Sequence, residues 1–305
     1  MRSATMTNAN LDAIYAQIDS LPALPATASA VLEVTADPES SAHDLMNAIL
    51  PDQSMCTTIL KIANSAFFGL PREVNTIEKA VMVLGFDEVK NIVLGKAVFN
   101  SFKELDGNNQ ESIEKFWQHS FSSGLAAKII AERIDISASE MFIAGLIHDI
   151  GKLAMLLTFP NIYSHLLKTA ETSWRMNFEK ENELFFISHD DVARRILNRW
   201  LFPERLVNSI GYHHRPKQAE AYQLPASCLE LADIIAHIYH NPDGPSAGDR
   251  KKHILDIHFE AFDIWQHHQL PCSSEEVQTW FELLSQSHEK DNAILSIFAS
   301  SRNNP

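Results

Sequence analysis

Residues 144–153 read Ala-Gly-Leu-Ile-His-Asp-Ile-Gly-Lys-Leu and set a histidine and an aspartate side by side in an apolar run. A helix that is apolar on every side packs inside a protein, so this run predicts a buried helix that carries the pair. His148 and Lys152 are four residues apart and therefore share one helix face. We expect the His-Asp pair to be buried, with Lys152 close enough to contact an anionic ligand.

Further histidines and one aspartate occur in the same part of the chain. Asp233 lies in the otherwise apolar stretch 229–236, where a buried carboxylate needs a partner. Imidazole nitrogens and carboxylate oxygens together suit a divalent first-row metal such as Fe, Mn, Zn, Co or Ni. The candidate ligands in chain order are His119, His148, Asp149, His189, His213, His214 and Asp233.

Each candidate also has a purely structural interpretation. Taken alone, His119 is typical of a hydrogen-bonded core histidine, and His213-His214 is typical of a loop before a proline. Asp233 alone could accept hydrogen bonds from a neighbouring helix. For the His-Asp pair alone, helix packing explains the residues as well as a metal does. The remaining histidines are expected to be surface or structural residues: His43, His165, His237, His240, His253, His258, His267, His268 and His288.

The rest of the chain predicts an all-α fold. Its 305 residues include only 10 glycines, and long runs rich in Ala, Leu, Ile and Glu favour helix. Capping residues and breakers mark the first six helices: Leu11–Asp19, Ala26–Thr35, a third started by Ser41 and Asp44, a fourth from Asp52 to Asn64, a fifth started by Asn75 and Glu78, and a sixth from Asp87 to Phe102 after Gly85.

Two loops with turn chemistry divide the chain. Asp-Gly-Asn-Asn at 106–109 is the clearest boundary, and Asn-Pro-Asp-Gly-Pro-Ser at 241–246 is the second. We therefore expect an N-terminal helical part at 1–106, a helical bundle with the candidate metal site at 107–240, and a C-terminal helical extension at 241–305.

Charge and cysteine content restrict the function. The net charge of −14, with no concentrated basic patch, disfavours nucleic-acid binding. Three scattered cysteines without a CxxC motif are typical of a reduced cytosolic protein. The polar N-terminus lacks the features of a signal peptide, and apolar runs such as Ile143–Ile147 are too short to span a bilayer. We expect a soluble, cytoplasmic protein that has no contact with a membrane.

Several motifs together resemble the HDOD (HD-related output domain) family over roughly residues 15–240. The segments that carry the resemblance are Leu21-Pro-Ala-Leu-Pro25, Asp37-Pro38, Ile59-Leu-Lys-Ile-Ala-Asn-Ser65, Ile77-Glu-Lys-Ala80, Val83-Leu-Gly85, Phe116-Trp-Gln-His-Ser120, residues 144–153, His189, Trp200-Leu-Phe-Pro203 and His213-His214. The resemblance implies an all-α fold that packs an N-terminal helical bundle with an HD-like helical bundle. It also implies a bacterial signalling or scaffolding protein with a signalling partner.

The chain is also similar to the related HD and HD-GYP phosphohydrolases. That similarity implies a first metal site of His119, His148, Asp149 and Asp233, and a second of His189, His213 and His214 that shares Asp149. It implies catalytic roles for Asp149 as the bridging ligand and for Lys152, which would face a substrate phosphate. Fe or Mn is the first expectation for the metal, and Zn or Ni the next.

The chain departs from HD-GYP enzymes at two places. Arg215-Pro-Lys-Gln218 stands where those enzymes carry an acidic, glycine-rich loop, which argues against cyclic-di-GMP hydrolysis. Residues 174–183 lengthen the segment between Asp149 and His189 and weaken the assignment of His189 as a ligand.

Three functions remain open at the level of sequence. The first is a regulatory protein whose site binds metal and a nucleotide or a protein partner. The second is a metal-dependent phosphohydrolase acting on a nucleotide or other phosphoester, and the third is a scaffold whose buried histidines pair only with carboxylates. The oligomeric state and the role of the C-terminal extension also stay open.

Overall fold

The computed structural model describes residues 2–65, 68–102, 110–169, 174–241, 246, 249–256 and 262–299. Over these residues the secondary structure is helical and contains no strand, which confirms the all-α prediction. The N-terminal helices are α1 (Arg2–Ser20), α2 (Ala26–Ala36), α3 (Ala42–Ile49), α4 (Gln53–Ala63), α5 (Ile77–Leu84) and α6 (Phe86–Ser101).

Eight further helices form the part that carries the candidate ligands, and three follow it. The eight are α7 (Gln110–Arg133), α8 (Ala138–Ile147), α9 (Ile150–Thr158), α10 (Pro160–Thr169), α11 (Trp174–Phe185), α12 (His189–Arg199), α13 (Glu204–Gly211) and α14 (Gln223–His240). The last three are α15 (Arg250–Asp256), α16 (Phe262–His267) and α17 (Ser274–Ala299).

The predicted helix starts in the N-terminal part agree with the structure to within a few residues, apart from that of α1. Ser41 and Asp44 form a reciprocal capping box on α3, and the Asp52 side chain accepts a hydrogen bond from the Met55 backbone N–H of α4. One helix cap differs from the prediction by one residue: Thr76 caps α5, and not the predicted Asn75. The Thr76 hydroxyl accepts a hydrogen bond from the backbone N–H of Lys79, which the helix leaves free.

Two close backbone approaches hold the helices around the candidate site. Helix α8 lies against α7 so closely that a Cβ on Gly145 would be 2.6 Å from the Cα of Gly124. Helix α9 touches the start of α12 at Gly151, where a Cβ would be 1.9 Å from the carbonyl oxygen of His189. Only glycine, which lacks a Cβ, permits these contacts, which hold α8 against α7 and α9 against α12.

The C-terminal helices pack on the rest of the chain. Trp265 Nε1 donates to Ser227 Oγ of α14 at 3.0 Å, and the rings of Trp265 and Trp280 are 5.9 Å apart in the core. The buried ammonium group of Lys96 in α6 donates to the carbonyl oxygen of Phe298 in α17. The first predicted domain boundary, at 106–107, lies outside the described residues, as do residues 242–245 of the second predicted loop.

One stretch, residues 138–158, is long and apolar enough by length and composition to cross a membrane, although the separate apolar runs in the sequence looked too short. It consists of α8 and α9, which together form a longer helical stretch than those runs predicted. Of the residues in its most apolar part, 83% are buried inside the protein, which is typical of a core segment.

Candidate metal centre

The seven predicted ligands converge where six helices meet. His119 lies on α7, His189 begins α12, and Asp233 lies in α14. The pair His148-Asp149 occupies the turn between α8 and α9, whereas the apolar run predicted a helix that carries the pair. At this turn both side chains of the pair point into the same cluster. His213 and His214 follow the end of α13.

The side chains form two separate groups of three, and a third group, His148, Asp149 and His213, joins them. In the first, His119 Nε2 is 2.8 Å and His148 Nε2 is 3.4 Å from Asp233 Oδ1. The second consists of His189, His213 and His214, with the Nε2 atoms of His189 and His214 3.0 Å apart. Within each group, the potential ligand atoms all lie within 4.8 Å of one another.

Asp149 stands between the two groups and presents one oxygen to each. Its Oδ2 is 3.3 Å from His148 Nε2 and 3.8 Å from His119 Nε2. Its Oδ1 is 3.1 Å from His189 Nε2 and 4.0 Å from His213 Nε2. A carboxylate with this placement has the geometry of a bridge between two cations.

The outer nitrogens of three histidines are held by acceptors outside the cluster. His148 Nδ1 lies 2.8 Å from the carbonyl oxygen of Gly145, and His213 Nδ1 lies 2.7 Å from that of Ile210. His189 Nδ1 lies 2.7 Å from Glu181 Oε2. If each Nδ1 donates, the lone pair of each Nε2 faces the cluster, as metal ligation requires.

The acidic and basic groups of the cluster shift each other's pKa values. Burial would raise the pKa of Asp149, but His148, Lys152 and His189 hold it well below its usual value. Burial likewise opposes ionisation of Asp233, but its hydrogen bond with His119 and the nearby ring of His148 lower its pKa strongly. Burial would lower the pKa of Lys152, yet the nearby carboxylates raise it. Both carboxylates are therefore ionised at neutral pH.

The buried histidines divide into two types. Burial acts to lower the pKa of His189, but Glu181 and Asp149 together raise it to about 10. Burial, followed by the neighbouring His148 and His189, lowers the pKa of His213 to about 4. Burial, with His213 and His189, lowers the pKa of His214 well below its usual value. His213 and His214 are therefore neutral at pH 7, the form that binds a metal.

A cation would satisfy polar atoms that have no partner in the described structure. His148 Nε2, His213 Nε2 and Asp149 Oδ1 are buried, and none has a hydrogen-bond partner among the described residues. Buried polar atoms are normally paired, and a set of orphaned atoms pointing at one place is the pattern that an ion leaves. The donor set of imidazole and carboxylate groups therefore fits divalent metal ions.

The cluster has one partly exposed side. The side chain of His119 is 22% exposed and that of Lys152 is 13% exposed, whereas His189 and His213 are fully buried. Lys152 Nζ lies 2.5 Å from Asp149 Oδ2 at this side. The predicted position of the lysine beside the His-Asp pair is thus observed, and a ligand would approach the cluster from the first group.

Sequence patterns did not reveal two residues beside the cluster. Glu181 and Tyr163 are fully buried behind His189, but Glu181 belongs to the charged run Glu-Lys-Glu-Asn-Glu at 179–183, which looks like a solvent-facing helix. Of the histidines expected to be surface or structural, His240 and His288 both contact Ser122 Oγ, at 2.6 and 2.8 Å. His258 lies outside the described residues.

Comparison with known proteins places the fold. The model of the HDOD domain family matches residues 21–216. The structure is similar to that of a proposed phosphohydrolase from Shewanella amazonensis, with a TM-score of 0.72 and 23% identity over 94% of this chain and 98% of that one. It also resembles a proposed signal transduction protein from Marinobacter aquaeolei, with a TM-score of 0.71 and 20% identity over 96% of this chain and 66% of that one.

A third similar structure is an HDOD domain protein of unknown function from Geobacter sulfurreducens, with a TM-score of 0.67 and 20% identity over 97% of this chain and 98% of that one. At these identities the likeness shows the fold alone. An uncharacterized protein of Treponema pallidum is 23% identical over 284 residues, 91% of this chain and 53% of that protein. The chain thus spans about half the length of this curated relative.

Proposed function

The chain belongs to the HDOD domain family, and from this premise we propose that it is a bacterial signal-transduction protein whose histidine/aspartate cluster binds two divalent metal ions. The observation that carries the metal proposal is Asp149, whose two oxygens face two separate groups of ligands. The first site would consist of His119, His148, Asp149 and Asp233. The second would consist of His189, His213, His214 and the same Asp149.

The donor chemistry favours some metals over others. The cluster offers imidazole nitrogens and carboxylate oxygens, and the described ligand groups include no thiolate. Imidazole suits Fe, Ni and Zn, while carboxylate extends the range to Mn. We expect Fe or Mn first and Zn or Ni next.

A regulatory role has three supports. The family consists of signalling modules, by the resemblance described above. A net charge of −14 disfavours nucleic acid as the partner. The cluster is buried apart from the partly exposed His119 and Lys152, so a ligand would reach it beside these two side chains. We propose that a nucleotide or another phosphoester binds at this side, and that a signalling protein reads the resulting state.

Lys152 favours a second candidate function, metal-dependent phosphohydrolysis. Its ammonium group lies at the partly exposed side of the cluster, and the carboxylates keep it charged. It could therefore bind a phosphate oxygen and orient a phosphoester against the metal side. Paired divalent ions, when bound, lower the pKa of a water toward about 7 and neutralise developing charge on phosphate. Asp149 would hold both ions in place.

Metal analysis tests the proposal. Protein purified without chelators is compared with Asp149→Asn and with Asp87→Asn, a control that removes a carboxylate 69% exposed on α6. We expect two equivalents of metal in the parent and the control, and a loss of both in Asp149→Asn. Absence of metal from the parent after anaerobic loading would instead support the scaffold without a metal.

Turnover separates the two functions. A hydrolase requires metal-dependent cleavage of an aryl phosphoester or a nucleotide, and Lys152→Met should abolish it. The signalling function predicts a ligand-induced rise in melting temperature without turnover. Hydrolysis that persists in Lys152→Met would contradict the role proposed for the lysine.

A further inference from the structure

We propose that Glu181 on α11 is a positioning residue that fixes His189 as a ligand of the second metal site, an inference that rests on the proposed metal binding. Glu181 has no solvent exposure. Its Oε2 accepts hydrogen bonds from both the backbone N–H and the Nδ1 of His189, each at 2.7 Å. Its Oε1 accepts a hydrogen bond from the hydroxyl of Tyr163 at 2.5 Å.

The hydrogen bond from Nδ1 to Glu181 orients the His189 ring and holds a proton on Nδ1. Nε2 is then the nitrogen that a metal would occupy, with displacement of the proton that it carries. That nitrogen is the one 3.1 Å from Asp149 Oδ1 and 3.0 Å from His214 Nε2. A carboxylate behind a histidine also makes the ring a stronger ligand.

The support for His189 differs from that of the other oriented histidines. His148 and His213 are oriented by neutral backbone carbonyls of the turn just before them. His189 has instead an anionic partner on a different helix. Because Tyr163 on α10 also holds Glu181, the orientation of His189 depends on the packing of α10, α11 and α12.

Helix α11 also covers the second site on another side. Phe178 lies three residues before Glu181 on the same helix face, and its ring is 5.0 Å from that of His214. Arg215 stacks at 5.5 Å from Phe178 and pairs with Asp190 at 2.8 Å. The segment that looked like an insertion between Asp149 and His189 is thus part of the wall of the second site.

A near-isosteric substitution tests Glu181. Glu181→Gln removes the charge and keeps the shape, while Glu183→Gln makes the same change at an exposed position on the same helix. Each variant is loaded with Zn²⁺ and challenged with a competing chelator. We expect the affinity for one of the two equivalents to fall by about 10–100-fold in Glu181→Gln, and the control to retain both affinities within about twofold.

The outcomes distinguish this inference from the proposal beneath it. A parent that binds no Zn²⁺ refutes the metal site itself. If the parent and Glu181→Gln both bind two equivalents of Zn²⁺ with equal affinity, the metal site is supported and the role proposed for Glu181 is refuted. Nitrogen NMR of the Zn²⁺-loaded parent tests the same point without any variant: the His189 proton should reside on Nδ1 and the metal on Nε2. Metal on Nδ1 contradicts the inference.

Discussion

Replacing Gly151 with alanine should move the ligands of the second metal site away from those of the first. The added Cβ would lie 1.9 Å from the carbonyl oxygen of His189, whereas an ordinary contact begins at 3.4 Å. The difference, 3.4 − 1.9 = 1.5 Å, must come from movement of α9 or α12, because a backbone carbonyl cannot rotate away as a side chain can. Metal–ligand distances tolerate only about 0.2 Å. We therefore expect Gly151→Ala to lose the second metal.

The stability cost follows from the same geometry. Overpacking a core costs about 1–3 kcal/mol, and a clash with backbone belongs at the upper end. Alanine in a helix gains about 1 kcal/mol over glycine. The net loss is then about 2 kcal/mol, which corresponds to a melting temperature lower by about 3 °C for a chain of this size.

The assay compares thermal unfolding of the metal-free protein with its metal content after loading. Gly95→Ala is the matched control, because the nearest atoms that its Cβ would meet belong to side chains and lie at 3.0 Å or more. The control should melt within about 2 °C of the parent, consistent with a change of less than 1 kcal/mol. If Gly151→Ala has the same melting temperature as the parent and retains two equivalents of metal, α9 and α12 do not approach each other as closely as described.

Three further predictions concern the N-terminal part and the titration of the cluster. Asn64→Ala removes side-chain hydrogen bonds to both the N–H and the carbonyl of Val74, so urea unfolding should show a loss of about 2 kcal/mol; an unchanged midpoint would refute the role of this side chain. The urea midpoint of the metal-free protein should decrease as the pH is lowered from 6.5 to 4.5. The reason is that His213 (pKa about 4) and His214 must stay neutral when folded. The raised pKa of His189 also stabilises the folded state, but this contribution is already complete below pH 6.5 and does not change as the pH is lowered further. A urea midpoint that is independent of pH would contradict the lowered pKa values of His213 and His214. Zn²⁺ binding at pH 7.5 should release at least one proton, since His189 with a pKa of about 10 carries one that the metal displaces. Calorimetry in buffers of different ionisation enthalpy measures this number, and zero release would be inconsistent with it.

The fold was predictable because its signals are local. A serine or aspartate before an apolar run defines a helix start, and Ser41 and Asp52 were identified in this way. The choice between Asn75 and Thr76 was not predictable, since both side chains can cap a helix and tertiary packing selects one. The turn at His148-Asp149 was also hidden, because apolar residues on both sides of it resemble one continuous helix.

The site was predictable only in part, for a different reason. Residue types and their order indicated seven ligands, and the structure brings all seven together, although metal ligation itself is still a prediction. Distances between helices are not encoded locally, so the long segment before His189 made that ligand look doubtful. Glu181 carried no signal, because a buried carboxylate and an exposed one have the same sequence context until the helix is packed.

Anomalous diffraction from crystals grown with Mn²⁺ tests the central claim most directly. We expect two peaks about 3.5–4 Å apart, the usual separation in two-metal sites, with Asp149 between them and His119 and His214 on opposite sides. Absence of peaks at the cluster, or Mn²⁺ bound only elsewhere on the acidic surface, would contradict the account.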